Sequence, residues 1–133
     1  MVKYNKISIK IIILFFLTFI SLHANIIPKE IITCLKSGNS KALTEYLYHN
    51  VELQILENEN VYSQAQAEQI IKSFFEQNKP VDFIIKHQSG KEGSEYAIGT
   101  LITENGKFRV YFLIKTQGDK GLIHQLSIKK DNG

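Results

Sequence analysis

The sequence predicts an α+β domain: N-terminal helices packed on a curved antiparallel sheet of about four main strands. Three observations point there. Ala67, Ile70, Ile71, Phe74 and Phe75 recur at i, i+3, i+4, i+7 and i+8, the spacing of one buried helix face. After Pro80 the chain breaks into four runs rich in apolar, β-branched and aromatic residues, separated by short turns carrying Gly, Asn or Asp. Turns that short leave no room for a crossover, so successive strands must run antiparallel.

The first segment is a targeting pattern. Lys3, Lys6 and Lys10 lead into the apolar run Ile11 to Leu22, and His23-Ala24 precede a polar break at Asn25. A basic region, an apolar stretch and a small residue make a secretory signal peptide. The apolar run has 12 residues, short of the roughly 20 that cross a bilayer as a helix. Cleavage is expected after Ala24. That leaves residues 25–133 as one exported domain, periplasmic or extracellular, with membrane contact only through the leader. The leader also explains the charge. Of 16 cations three are its lysines, and the remaining 13 equal the 13 acids. The cations of the domain are dispersed, whereas a nucleic-acid binder clusters them on one face, so no nucleic-acid partner is expected. Cys34 is the only cysteine. It can form no internal disulfide and reads as a small buried hydrophobe on the first helix.

Pro28 suits the first turn of a helix, since its missing N–H has no partner there anyway. Ile31, Ile32 and Leu35 follow at helical spacing, and Gly38 stops the helix. Ser40 can cap a second short helix carrying Leu43, Tyr46 and Leu47, ended by Asn50. Val51 to Leu56 alternates with period two, apart from Leu56, and reads as a strand. Glu57 to Asn60 is a polar turn and Val61-Tyr62 a brief return strand. Ser63 with Gln66 three residues on is a capping box opening the long helix, which Asn78 and Pro80 close. Glu68 and Lys72 can pair on its outer face. The main strands are expected at Val81 to Gln88, Ser94 to Thr103, Lys107 to Gln117 and Leu122 to Lys129. Asn105-Gly106 is a hairpin signal in which both residues tolerate positive φ. Gly99 in mid-strand suggests a bulge or bend.

This order of elements resembles the nuclear-transport-factor-2-like superfamily, and more closely a family of small secreted Bacteroidota proteins of unknown function with that fold. Val61-Tyr62-Ser63 running into Gln66-Ala67-Glu68, Phe74-Phe75, Phe83 with His87, Tyr96 to Leu101 and Phe108 to Tyr111 carry the resemblance, over roughly 26–129. It implies a cone formed by helices on one face of a curved sheet. The superfamily contains isomerases and cyclase relatives beside binding and dimerisation modules, so the fold alone assigns no activity.

The candidate residues are few. His87 shares a period-two face with Val81, Phe83 and Ile85, so it can point into the cone as a base or ligand-binding group; its ordinary role would be to orient the Ser89-Gly90 turn. His124 shares a face with Leu122, Leu126 and Ile128. Two histidines without a nearby acid or cysteine make no metal site, and no cofactor is expected. Arg109, the only arginine, shares a face with Tyr111, Leu113 and Lys115. A guanidinium beside a phenol suits a carboxylate or phosphate. The ordinary alternative is an ion pair with Glu95 or Glu104 and packing on Tyr96 or Tyr111. Isomerases of this fold place carboxylates or a His–Asp pair inside the cone. Here the acids after Phe83 fall in turns, at strand ends or in the tail, and Glu52 alternates outward against Leu53 and Ile55. No Gly-x-Ser-x-Gly elbow, phosphate loop, Cys-x-x-Cys, zinc spacing or Gln-x-Val-x-Gly inhibitor segment is present.

The expected function is therefore a non-enzymatic ligand-binding or protein-interaction module, with His87, Tyr96, Arg109 and Tyr111 as ligand-binding candidates. Its partner is a small apolar or amphipathic ligand in the cone, or a second copy. Ile84, Ile98, Val110, Phe112 and Ile114 offer more apolar surface than one core face needs, so the second face should be covered, as in a homodimer packed sheet to sheet. The alternative is a cone-pocket enzyme using His87, Tyr96 and Tyr111. Phe74, Phe75, Phe83 and Phe108 filling the cone would argue against it.

Overall fold

The structure is a computed structural model, and it describes residues 27–133. The leader and its cleavage site lie outside the described residues. Three helices and six strands follow in the order α1 (Lys29–Ser37), α2 (Ser40–Thr44), β1 (Leu47–Ile55), β2 (Asn58–Ser63), α3 (Gln64–Gln77), β3 (Pro80–Lys91), β4 (Ser94–Thr103), β5 (Gly106–Gln117) and β6 (Lys120–Lys130). All six strands join one sheet in the order β2-β1-β6-β5-β4-β3. The β1–β6 pairing is parallel and the other four are antiparallel.

The sheet is thus two strands wider than the four-strand expectation. The reason lies at Leu47. Its spacing from Leu43 suits a helix face, yet α2 ends at Thr44. Leu47 then pairs with Ile123, the Ile123 N–H donates to the Tyr46 carbonyl at 2.7 Å, and Gln64 Nε2 donates to the Leu47 carbonyl at 2.6 Å. Long-range pairing with the last strand overrides a locally helical pattern, and it turns β1 and β2 into full members of the sheet. The β1–β2 turn falls at Leu56-Glu57, earlier than expected, with Leu56 at φ 56°.

Local signals set the helix ends. Gly38 adopts the left-handed conformation at φ 69° after α1. Asn39, one residue before the expected cap, caps α2 by accepting from the Ala42 N–H at 3.1 Å. Ser63 and Gln66 form the full capping box of α3. In the β4–β5 hairpin only Gly106 has positive φ, at 122°. Asn105 instead donates its N–H to Thr103 Oγ1 at 3.1 Å, and its side-chain amide donates to the Gln77 carbonyl at the end of α3.

The helices and one face of the sheet enclose a single apolar core. Ile31, Leu35, Leu43, Ile71, Phe74 and Phe75 from the helices meet Leu53, Phe83, Leu101, Phe108, Val110, Phe112, Leu126 and Ile128 from the strands. Cys34 is buried among them, where burial, then Glu45 and Glu30, push its thiol up from the ordinary value. The four phenylalanines expected to decide the nature of the cone, Phe74, Phe75, Phe83 and Phe108, are all buried in this core. Phe74 and Phe108 meet edge to face at 5.0 Å.

Candidate functional site

The alternate residues of the strands form the outer face, and among the described residues no element packs over it. Two bulges decide which side chains stand there. Lys86 is an extra residue on β3, since Ile85 pairs with Gly99 while His87 pairs with Ile98. A bulge inverts the side-chain alternation beyond it. Phe83 and Ile85 point into the core, but His87 turns outward and is exposed. This corrects the expectation that His87 shares the inner face. The second bulge is in β6, where Leu113 pairs with Gln125 and Ile114 with Ile123, leaving His124 as the extra residue. His124 leaves the face of Leu126 and Ile128 and stacks on Tyr48, with ring centroids 4.0 Å apart and 17° between planes. Its Nε2 is buried without a hydrogen-bond partner. Burial, then Lys115 and His49, lower its pKa from the ordinary 6.5.

Gly99 lies opposite that first bulge, so of the expected bulge or bend the register shows a bulge, with its extra residue on the neighbouring strand. A side chain at Gly99 would put Cβ 2.5 Å from Phe83 Cζ. The absent side chain lets the Phe83 ring lie across β4 and fill the inner face.

All four candidate residues stand on the outer face. Tyr96 Oη is 3.4 Å from His87 Nε2, and the Tyr96 and Tyr111 rings are 6.0 Å apart. Burial, then Tyr96 and Glu52, push the Tyr111 phenol up from its ordinary value, which keeps it protonated and able to donate. Arg109 lies one row away, opposite Thr100 on β4 and Lys129 on β6. The structure therefore brings His87, Tyr96 and Tyr111 into one aromatic cluster over two adjoining rows and leaves Arg109 beside it. It places none of them in the cone. Nor does Arg109 form the expected ion pair with Glu95 or Glu104. Among the described residues the one ion pair joins Lys36 Nζ to Asp82 at 3.3 Å. The apolar residues divide in the same way: Val110, Phe112 and Ile114 are core, while Ile84 and Ile98 face outward, Ile84 being 41% exposed.

Sequence reasoning missed the polar side of this face. Arg109 and Tyr111 line a groove of about 420 Å³ with Glu52, Gln54, Glu59, Gln125, Ser127 and Lys129. The outward alternation of Glu52 was legible. Its partner across the sheet, Gln125, was not, because the parallel β1–β6 pairing joins residues 73 positions apart.

No curated protein matches the chain. Among solved structures, a DUF4783 family protein from Bacteroides ovatus is 36% identical with a TM-score of 0.76, covering 80% of this chain and 97% of its own. One from Bacteroides uniformis is 34% identical, also with a TM-score of 0.76, covering 80% of this chain and 99% of its own. The crystallised relatives thus consist almost wholly of the matching region. A nuclear-transport-factor-2-like protein of unknown function from Cytophaga hutchinsonii shares the fold at 13% identity, with a TM-score of 0.55, covering 77% of this chain and 85% of its own. Residues 28–129 match the family described as Domain of unknown function (DUF4783), and the chain belongs to that family.

Proposed function

We propose that this protein is an exported, non-enzymatic interaction module, and that its outer sheet face packs against a second copy of itself. One observation carries this reading: the inner face is filled by buried phenylalanines, while the apolar surplus of the strands stands on the other side. Ile84, Tyr96, Ile98, Ile102, Tyr111 and Leu113 occupy outward positions of β3, β4 and β5. Antiparallel sheets with one solvated face normally alternate apolar and polar residues. Here the outward phase carries a central apolar group on three adjacent strands, with Asp82, His87, Thr100 and Arg109 among it. A second sheet packed at roughly 10 Å buries such a face.

Catalysis is not part of this reading. His87 is exposed, and the acids of the main strands stay at their ends and turns. Sedimentation equilibrium of residues 25–133 tests the proposal. A dimer is expected at micromolar concentration, and Leu113→Glu should return it to a monomer with an unchanged circular dichroism spectrum. A wild-type protein that stays monomeric at millimolar concentration would overturn it.

A further inference from the structure

Arg109 stands directly opposite Lys129 across the β5–β6 pair, and both side chains are exposed in the outer-face groove. Like charges placed opposite each other destabilise a strand pair. Neither cation has an ion-pair partner among the described residues. Two positions along, Tyr111, Ser127 and Gln54 form one cross-strand row of hydroxyl and amide groups, in which Ser127 Oγ donates to Gln54 Oε1 at 3.2 Å. Two positions further, Gln125 Nε2 donates to Glu52 Oε2 at 2.6 Å and fixes that carboxylate by one oxygen. Glu59, opposite Gln54 on β2, adds a second negative charge at the β2 edge of the middle row. The groove therefore runs from paired cations, through a row of hydroxyl and amide groups that Glu59 flanks on β2, to the Glu52 carboxylate.

We propose that this groove is a binding site for a short peptide-like zwitterion. The ligand's carboxylate would sit between Arg109 and Lys129 and its ammonium group toward Glu52. An unpaired guanidinium beside a second cation is relieved by a carboxylate, which it can grip through two parallel N–H bonds. The row of Tyr111, Ser127 and Gln54 can bond peptide amides between the two ends. Length follows from the register. Lys129 and Gln125 are four residues apart on one strand, roughly 13 Å at the backbone, and long side chains reaching inward shorten that span. An extended tripeptide covers roughly 10 Å. Glu52 and Glu59 repel a ligand with repeated negative charge, so nucleic acids and polyphosphates do not fit. The site is centred apart from the proposed sheet-to-sheet contact and meets it only at Tyr111: the groove lies on β1, β2, β6 and the near side of β5, and the apolar patch on β3, β4 and the far side of β5.

The test is titration of isotope-labelled residues 25–133 with tri-alanine, followed by amide chemical shifts. Tri-alanine at millimolar concentration is expected to shift the signals of Arg109, Tyr111, Ser127 and Glu52. Tri-alanine amide and N-acetyl-tri-alanine should each bind about tenfold more weakly, as should tri-alanine to Arg109→Gln or Lys129→Gln. Both variants change exposed side chains, and an otherwise unchanged spectrum shows that they fold. Three results would each overturn the proposal: no shift in the groove at millimolar tri-alanine, equal binding of the amide, or acetate binding as tightly as the tripeptide.

Discussion

Replacing Gly99 with alanine reports directly on whether the cone is filled. The new Cβ would lie 2.5 Å from Cζ and 2.7 Å from Cε2 of Phe83, and 2.7 Å from the Ile84 carbonyl oxygen. Carbon atoms in contact prefer roughly 3.5–4.0 Å, so the ring tip has to retreat by about an ångström. Phe83 is buried and packed, and the Ile84 oxygen belongs to the backbone of the neighbouring strand, so neither moves freely. Overpacking of this kind costs about 1–3 kcal/mol. For a domain of this size each kcal/mol lowers Tm by about 4–8 °C, so a fall of roughly 5–20 °C is expected. The sign is informative, because alanine in place of glycine at an unstrained site instead stabilises, by about 0.4–1 kcal/mol. A double-mutant cycle with Phe83→Leu isolates the ring contact. Thermal and urea unfolding of the four proteins should give a favourable coupling of about 0.5–3 kcal/mol, with part of the Gly99→Ala cost remaining from the Ile84 oxygen. A neutral or stabilising Gly99→Ala, or strict additivity with Phe83→Leu, would refute the packing argument and reopen the cone as space for a ligand.

Other predictions concern caps, burial and pH. Ser63→Ala removes the side chain that accepts from the Gln66 N–H at 3.3 Å and should cost about 1 kcal/mol in urea unfolding; an unchanged midpoint contradicts it. Native Cys34 should react with a thiol reagent many times more slowly than in denaturant, because it is 6% exposed and its thiol is held in the protonated form. His124 is held below its ordinary 6.5 in the fold, so the unfolded chain takes up a proton first as pH falls. Its contribution is therefore flat above 6.5, and stability is lost from there down to the lowered folded value. Tm measured between about pH 8 and about pH 5 should decline less in His124→Phe, which keeps the ring on Tyr48; parallel profiles contradict this.

The legible parts of the fold are those written in local chemistry. The Ser63–Gln66 box, the Gly38 stop and the five apolar positions of α3 were readable because each depends on residues within one or two turns. The four C-terminal strands were readable for the same reason, through their turns. What failed depends on distant partners. Nothing near Leu47 announces that it will pair with Ile123, so the sheet read two strands too narrow. The bulges at Lys86 and His124 are equally silent. Each arises from pairing against a neighbouring strand, and each inverts the face on which the residues beyond it stand. The inward option for His87 fails for that reason alone. Arg109 and Tyr111 lie on β5, which pairs with β4 without interruption, and the face they share is the one that period two gives. The groove needed the parallel β1–β6 pairing, and only Arg109, Tyr111 and the outward turn of Glu52 could be found beforehand.

The central claim is that the filled face is inside and the outer face meets a second copy. Intermolecular nuclear Overhauser effects on a mixed sample of isotope-labelled and unlabelled residues 25–133 test it most directly. Contacts between copies should appear at the methyl groups of Ile84, Ile98 and Leu113, with none at Val110, Phe112 or Leu126. Absence of intermolecular contacts at millimolar concentration, or contacts confined to the helices, would contradict the account.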